Sequence, residues 1–122
     1  MISVGTNLHI SDNSGGLTAT CIKVLGQNPK KKGIPGNILI VALKKVKIGK
    51  KVDTHQIKKA LLMTTSYPSV KSNGVRVSFK SNNIVLIDDR YNPLGNRVNQ
   101  HVLSNFRLKN YMKIVSISFG MV

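Results

Sequence analysis

Residues 60–87, ALLMTTSYPSVKSNGVRVSFKSNNIVLI, decide how this chain is read. Two apolar, β-prone runs, Ala60–Met63 and Ile84–Ile87, flank a polar excursion. At the centre of the excursion is Asn73-Gly74, a pair that tolerates positive φ at both residues and so favours a tight hairpin turn. After the turn, Val75, Val77 and Phe79 alternate with Arg76, Ser78 and Lys80. That period sends the apolar side chains to one face of a strand and the basic or hydroxyl groups to the other. The expectation is a hairpin with positive φ at both turn residues, one packed face and one cationic face.

Composition narrows the partner. A chain of 122 residues with 41% hydrophobic content is long enough for one domain and one core. Its 19 Lys+Arg stand against 4 Asp+Glu, for a net charge of +15 and a pI near 10.4. Such a surface attracts polyanions, nucleic acid first among them. An anionic membrane would ask for a basic amphipathic helix or an apolar run of ~18 residues, and the sequence has neither, so no membrane partner is expected. The single cysteine, Cys21, fits a reducing compartment and reads as a small buried hydrophobe. The strand pattern begins almost at Met1, which leaves no evident signal or transit peptide. Lysine outnumbers arginine, glutamate is absent, and Asn and Ile are abundant. That bias is what an AT-rich, organelle-encoded gene produces.

Outward toward the N-terminus, Val4, Thr6, Leu8 and Ile10 alternate as a strand that ends in the turn cluster Ser11-Asp12-Asn13-Ser14-Gly15-Gly16. A second strand over Thr18–Leu25 sets Thr20, Ile22 and Val24 against Ala19, Cys21, Lys23 and Leu25. Residues 27–36 form a loop that carries Lys30, Lys31 and Lys32 between Pro29 and Pro35, a stiffened finger suited to phosphate contact. The nearly continuous run Ile38–Val41 within Asn37–Val46 suggests a strand covered on both faces. Lys44, Lys45, Lys47, Lys50 and Lys51 follow as a second basic cluster, before Gln56–Thr65 returns as a strand.

Beyond the hairpin, Asp88-Asp89 is the one acidic pair, and adjacent residues of an extended chain point apart. With Arg90, Asn92, Pro93 and Gly95 they read as turn residues rather than an acid–base or metal pair. His9, His55 and His101 lack ligand-like spacing. His101–Leu108 reads as a short helix with Val102, Leu103 and Phe106 as its apolar stripe, whereas Ile114–Phe119 alternates like a strand. No catalytic residue, metal site or cofactor is expected.

The long pattern Ala60, Leu61-Leu62-Met63, Asn73-Gly74, Phe79, Asn82 and Val85-Leu86 resembles the signature of the universal large-subunit ribosomal protein number fourteen family. Met63 is a thioether in an aliphatic slot, which a core absorbs. LHISDNSGG and CIKVLG are similar to the family's first hairpin. Pro93, Gly95, Arg97 and Val98 match its Pro-x-Gly-x-Arg-aliphatic run, and Tyr111–Ser116 its aromatic-x-Lys-aliphatic segment. Asn99-Gln100-His101, Ser104-Asn105-Phe106 and the ending Phe119–Val122 depart from it.

The resemblance implies a mainly β fold, a small five-stranded antiparallel β-barrel with a projecting β-ribbon and a short helical C-terminal part. It would occupy 1–122 as one domain, the barrel about 1–90 and the C-terminal part about 91–122. It further implies a structural constituent of the large ribosomal subunit, not an enzyme. Such a protein binds large-subunit rRNA at the subunit interface, touches small-subunit rRNA in an inter-subunit bridge, and sits beside large-subunit proteins three and nineteen. Together with the composition, that places the protein in a mitochondrial ribosome of the matrix, with a plastid or bacterial cytoplasm as alternatives. The residues expected to contact RNA are Lys30, Lys31, Lys32, Lys44, Lys45, Lys47, Lys50, Lys51, Lys71, Arg76 and Arg97.

Two other classes compete. A free OB-type single-strand-binding barrel would also be small and basic, but it needs an aromatic platform. Here the three Tyr and three Phe are scattered and Trp is absent, so recognition of folded RNA by shape is expected to outweigh stacking. A small nuclease would need a metal cage or a His pair.

Overall fold

The two aliphatic runs of the hairpin become the doubly buried wall of a barrel. The computed structural model describes residues 2–26, 28, 31–107 and 111–122. Five strands, β1 (Asn7–Ile10), β2 (Gly16–Val24), β3 (Ile38–Val46), β4 (Ile57–Thr64) and β7 (Asn83–Ile87), close in the order β1-β2-β3-β4-β7. The ribbon strands β5 (Ser69–Val70) and β6 (Arg76–Val77) lie between β4 and β7 in the chain. The five-stranded barrel is the expected one, except that its closing pair, β1 with β7, runs parallel. The sheet is therefore mixed rather than wholly antiparallel.

Side-chain alternation in β4 and β7 divides the apolar residues between two cores. Ala60, Leu62, Ile84 and Leu86 point inward to meet Leu8, Ala19, Cys21, Leu39, Val41 and Leu43. Leu61, Met63, Val85 and Ile87 point outward and are covered by Val98, Val102, Leu103, Phe106 and Ile114. A strand buried on both faces reads as an unbroken apolar run, which is why the signature stretch carries one. In β3 the same pattern is weaker, since Ile38 and Ile40 stay half-buried.

Several local expectations are corrected. Val4 is exposed and β1 starts only at Asn7, because residues 3–6 form a turn with Gly5 at φ 88. In β2 the alternation shifts at a bulge between Cys21 and Lys23, which leaves both Ile22 and Lys23 outside. The ribbon turn has positive φ at Gly74 alone (φ 85). Lys71 N donates to Val75 O at 2.9 Å and Gly74 N to Lys71 O at 3.0 Å. This is a three-residue loop with a glycine bulge rather than a two-residue turn. Asn73 contributes through its Oδ1, which accepts from Val75 N at 3.1 Å. Val77 and Phe79 pack on the outer core as expected, but Val75 is exposed.

The C-terminal part mixes both readings of its sequence. Val98–Val102 is a strand, β8, so His101 and Val102 precede the helical turn, which is a 3₁₀ turn at Ser104–Arg107. Val102, Leu103 and Phe106 are nonetheless buried together. Of the expected strand Ile114–Phe119, residues 114–117 lie instead in a helix, α1 (Met112–Ile117), while Ser118 and Phe119 belong to a strand, β9 (Ser118–Met121), parallel to β8. Burial of Ile114 against the barrel wall selects the helix, since local alternation is a weak signal over six residues.

Candidate nucleic-acid interface

The barrel sorts the basic residues to its two ends. β3, nine residues long, spans roughly 25 Å between them at about 3.3 Å per residue. At one end lie the β2–β3 connection and the ribbon, with Lys31, Lys32 and Arg76 exposed and Lys71 half-buried. Lys31 N donates to Asn28 O at 2.8 Å, which closes the turn beneath it. Lys30 lies outside the described residues. Lys44 and Lys45 stand on the outer surface of β3 toward the opposite end, Lys45 in register with Thr18.

At that opposite end three segments distant in sequence meet: the β1–β2 turn (residues 11–15), the β3–β4 connection (residues 47–56) and the loop after β7 (residues 88–97). The β1–β2 turn holds them together, through Asp12, Asn13 and Gly15. β1 leaves its parallel ladder after Ser11 N donates to Ile84 O at 3.0 Å. The next amide of β7 along that edge, Leu86 N, is taken by Asp12 Oδ2 at 3.1 Å. The carboxylate thus continues a ladder that the backbone has abandoned. Its Oδ1 accepts from Ser14 N (3.2 Å) and Ser14 Oγ (2.5 Å). Burial pushes the Asp12 pKa up, while the hydrogen bonds from Ser14 and Leu86 pull it the other way.

Asn13 grips the third segment. Its Oδ1 accepts from Asn96 N at 2.7 Å and Arg97 N at 3.2 Å, and its own N donates to Arg97 O at 3.2 Å. Gly95 is needed here for space, since a Cβ on it would lie 2.5 Å from Asn13 Oδ1. Lys47 N donates to Gly15 O at 2.8 Å, and the Lys50 side chain lies against Gly15, where any Cβ would collide with it. Lys51 Nζ donates to Leu94 O at 3.1 Å. Lys47, Lys50, Lys51 and Arg97 are thereby collected around one stitched turn, all exposed.

Asp88 and Asp89 behave as turn residues. Asp88 Oδ1 accepts from Arg90 N and Asn92 N, and Asp89 pairs with Lys59 at 3.3 Å. Among the described residues, no three of His, Cys, Asp and Glu gather as a metal site. Cys21 is 1% exposed inside the barrel, and burial raises its thiol pKa. Lys23, Lys59, Arg90 and Lys113 are further cations outside the clusters that the sequence singles out. Register puts Lys23 and Lys59 in one row across Ile40, and the fold brings Lys113 Nζ to Asn92 Oδ1 at 2.7 Å. A family model described as ribosomal protein L14p/L23e matches residues 1–122, the whole chain.

Proposed function

The chain belongs to the ribosomal protein L14p/L23e family, a structural, non-enzymatic rRNA-binding component of the large ribosomal subunit, and on that premise we propose how it binds. All 122 residues act as one ribosomal-protein domain. Lys47, Lys50, Lys51 and Arg97, with Lys44 and Lys45 beside them, form a rigid phosphate-contacting end. Lys31, Lys32, Lys71 and Arg76 form a second, projecting end, and Lys30 contacts phosphate with them. The protein lies at the subunit interface beside proteins three and nineteen and reaches small-subunit rRNA in a bridge. Its Lys- and Asn-rich, Glu-free composition supports a mitochondrial ribosome as the setting.

The observation that carries this reading is the convergence of four cations, from two separate segments, on the Asp12–Asn13 turn. Cations at fixed spacing displace counterions from phosphates without reordering the chain, so the protein positions RNA by backbone contact and shape. A cryo-electron map of the ribosome tests it. Ammonium and guanidinium groups of the rigid end are expected within about 3 Å of phosphate oxygens. A map with that end facing solvent overturns the assignment.

A further inference from the structure

Two turns in this chain are built alike and filled differently. In the ribbon, Lys71 N bonds Val75 O, Gly74 N bonds Lys71 O, and Gly74 sits at φ 85. After β7, Asp88 N bonds Asn92 O at 2.9 Å, Tyr91 N bonds Asp88 O at 3.1 Å, and Tyr91 sits at φ 61. Tyrosine therefore holds the left-handed position that glycine fills without strain in the sister turn. The Asp88 carboxylate keeps the turn closed by taking the amides of Arg90 (2.9 Å) and Asn92 (2.8 Å).

What the strained position achieves is the placing of a ring. Tyr91 is 51% exposed, and Lys59 Nζ stands 5.7 Å from its ring centroid. The residue lines a cleft of about 520 Å³ with Arg90, Asn92, Tyr111, Met112 and Lys113. Tyr111 is anchored by its hydroxyl to Gly36 O at 3.4 Å. Of the two nearby carboxylates, Asp88 is engaged by its turn and Asp89 is paired with Lys59. The remaining charge at the cleft, Arg90 and Lys113, is cationic. An aromatic face, a thioether and two cations around a hole of this size match one nucleotide: base on the ring, phosphate on the cations.

We propose that Tyr91 and its cleft form a stacking site for a single unpaired RNA nucleotide. The site rests on the rRNA-binding reading and adds to it a contact that phosphate neutralisation does not supply. It distinguishes unpaired from paired RNA, because a stacked duplex offers no free base face.

The substitution that tests it is Tyr91→Gly, which removes the ring and suits the backbone. The protein has no Trp and three Tyr, so in a Tyr67→Phe, Tyr111→Phe background its emission reports Tyr91 alone. The probes are a short single-stranded RNA of mixed sequence and the same sequence annealed as a duplex. Quenching by the single strand is expected in that background. Tyr91→Gly is expected to bind the single strand about tenfold more weakly, with duplex affinity, salt dependence and thermal midpoint no lower than the parent's. Tyr91→Phe keeps parental affinity. Equal single-strand affinity of Tyr91→Gly and the parent overturns the stacking site and leaves the phosphate reading standing. A parent whose RNA affinity does not vary with salt overturns the phosphate reading, whichever way Tyr91→Gly behaves.

Discussion

The two ends of the barrel carry similar charge on unlike foundations. At the stitched end, side chains of Asp12 and Asn13 bind backbone amides more than seventy residues away in sequence, Leu86, Asn96 and Arg97. At the ribbon end, the base is bonded through Thr64, Ser81 and Asn83. The tip beyond it is two paired residues per strand, with Val70 and Val75 exposed. Val77 at its base packs on the outer core, but a short two-stranded ribbon is marginal by itself. A cation's neighbours, rather than its own exposure, thus decide whether it is held by long-range bonds or only by a local ribbon.

Asp12→Ala is the largest break in that contrast. It strands Leu86 N and Ser14 in a buried site, and a loss of about 2–3 kcal/mol is expected in denaturant unfolding. Loosening should extend to residues 93–97 and leave the ribbon untouched. Hydrogen exchange confined to residues 11–16 would defeat the view that this turn holds three segments. The pH dependence has a defined sign. The Asp12 pKa is raised in the folded state, so the native protein binds the proton more tightly than the unfolded chain. That favours the native state below the ordinary carboxylate value and is lost as pH rises through the raised one. The stability gap between parent and Asp12→Ala therefore narrows with rising pH across that window.

Gly74→Val probes the other end. Its Cβ meets nothing within 4 Å, so the cost is backbone strain alone, about 1–3 kcal/mol, and confined to the tip. Equal protection of residues 70–78 in mutant and parent would refute the glycine-bulge turn. Cys21→Ala, in the core between the two ends, is expected to cost roughly 1–2 kcal/mol and leave RNA binding unchanged. If Cys21→Ser abolished binding in a folded protein, the thiol would not be inert.

The smallest effect on stability comes from the lysines, within about ±0.5 kcal/mol. Their replacement by Gln sharpens the comparison in a different measurement. Every lysine–phosphate pairing removed in this way flattens the slope of log affinity against log salt by about one unit. Replacing Lys47, Lys50 and Lys51 is expected to flatten it by about 3 units. Replacing Lys30, Lys31 and Lys32 should flatten it by about 2–3 units if the finger reaches phosphate. A parental slope in the first set would move the interface away from the stitched end.

Local signals mark most of the barrel's strands, because period-two alternation and turn residues are written into short stretches of chain. The signature stretch was legible for the same reason: its apolar run records burial on both faces. The partner was legible too, since a charge of +15 needs no fold to attract a polyanion. Everything else waits for the assembled fold. The helix at Met112–Ile117 takes in the first four residues of the alternating run Ile114–Phe119, because the barrel wall offers Ile114 a place to bury. The parallel seam of β1 with β7 depends on closure, which no single segment records. Arg97 joins Lys47, Lys50 and Lys51 only through Asn13, and Tyr91 reaches its cleft only through the Asp88 turn. The Asn13 bonds join residues far apart in the chain, and periodicity cannot encode a hydrogen bond between side chain and backbone across such a distance.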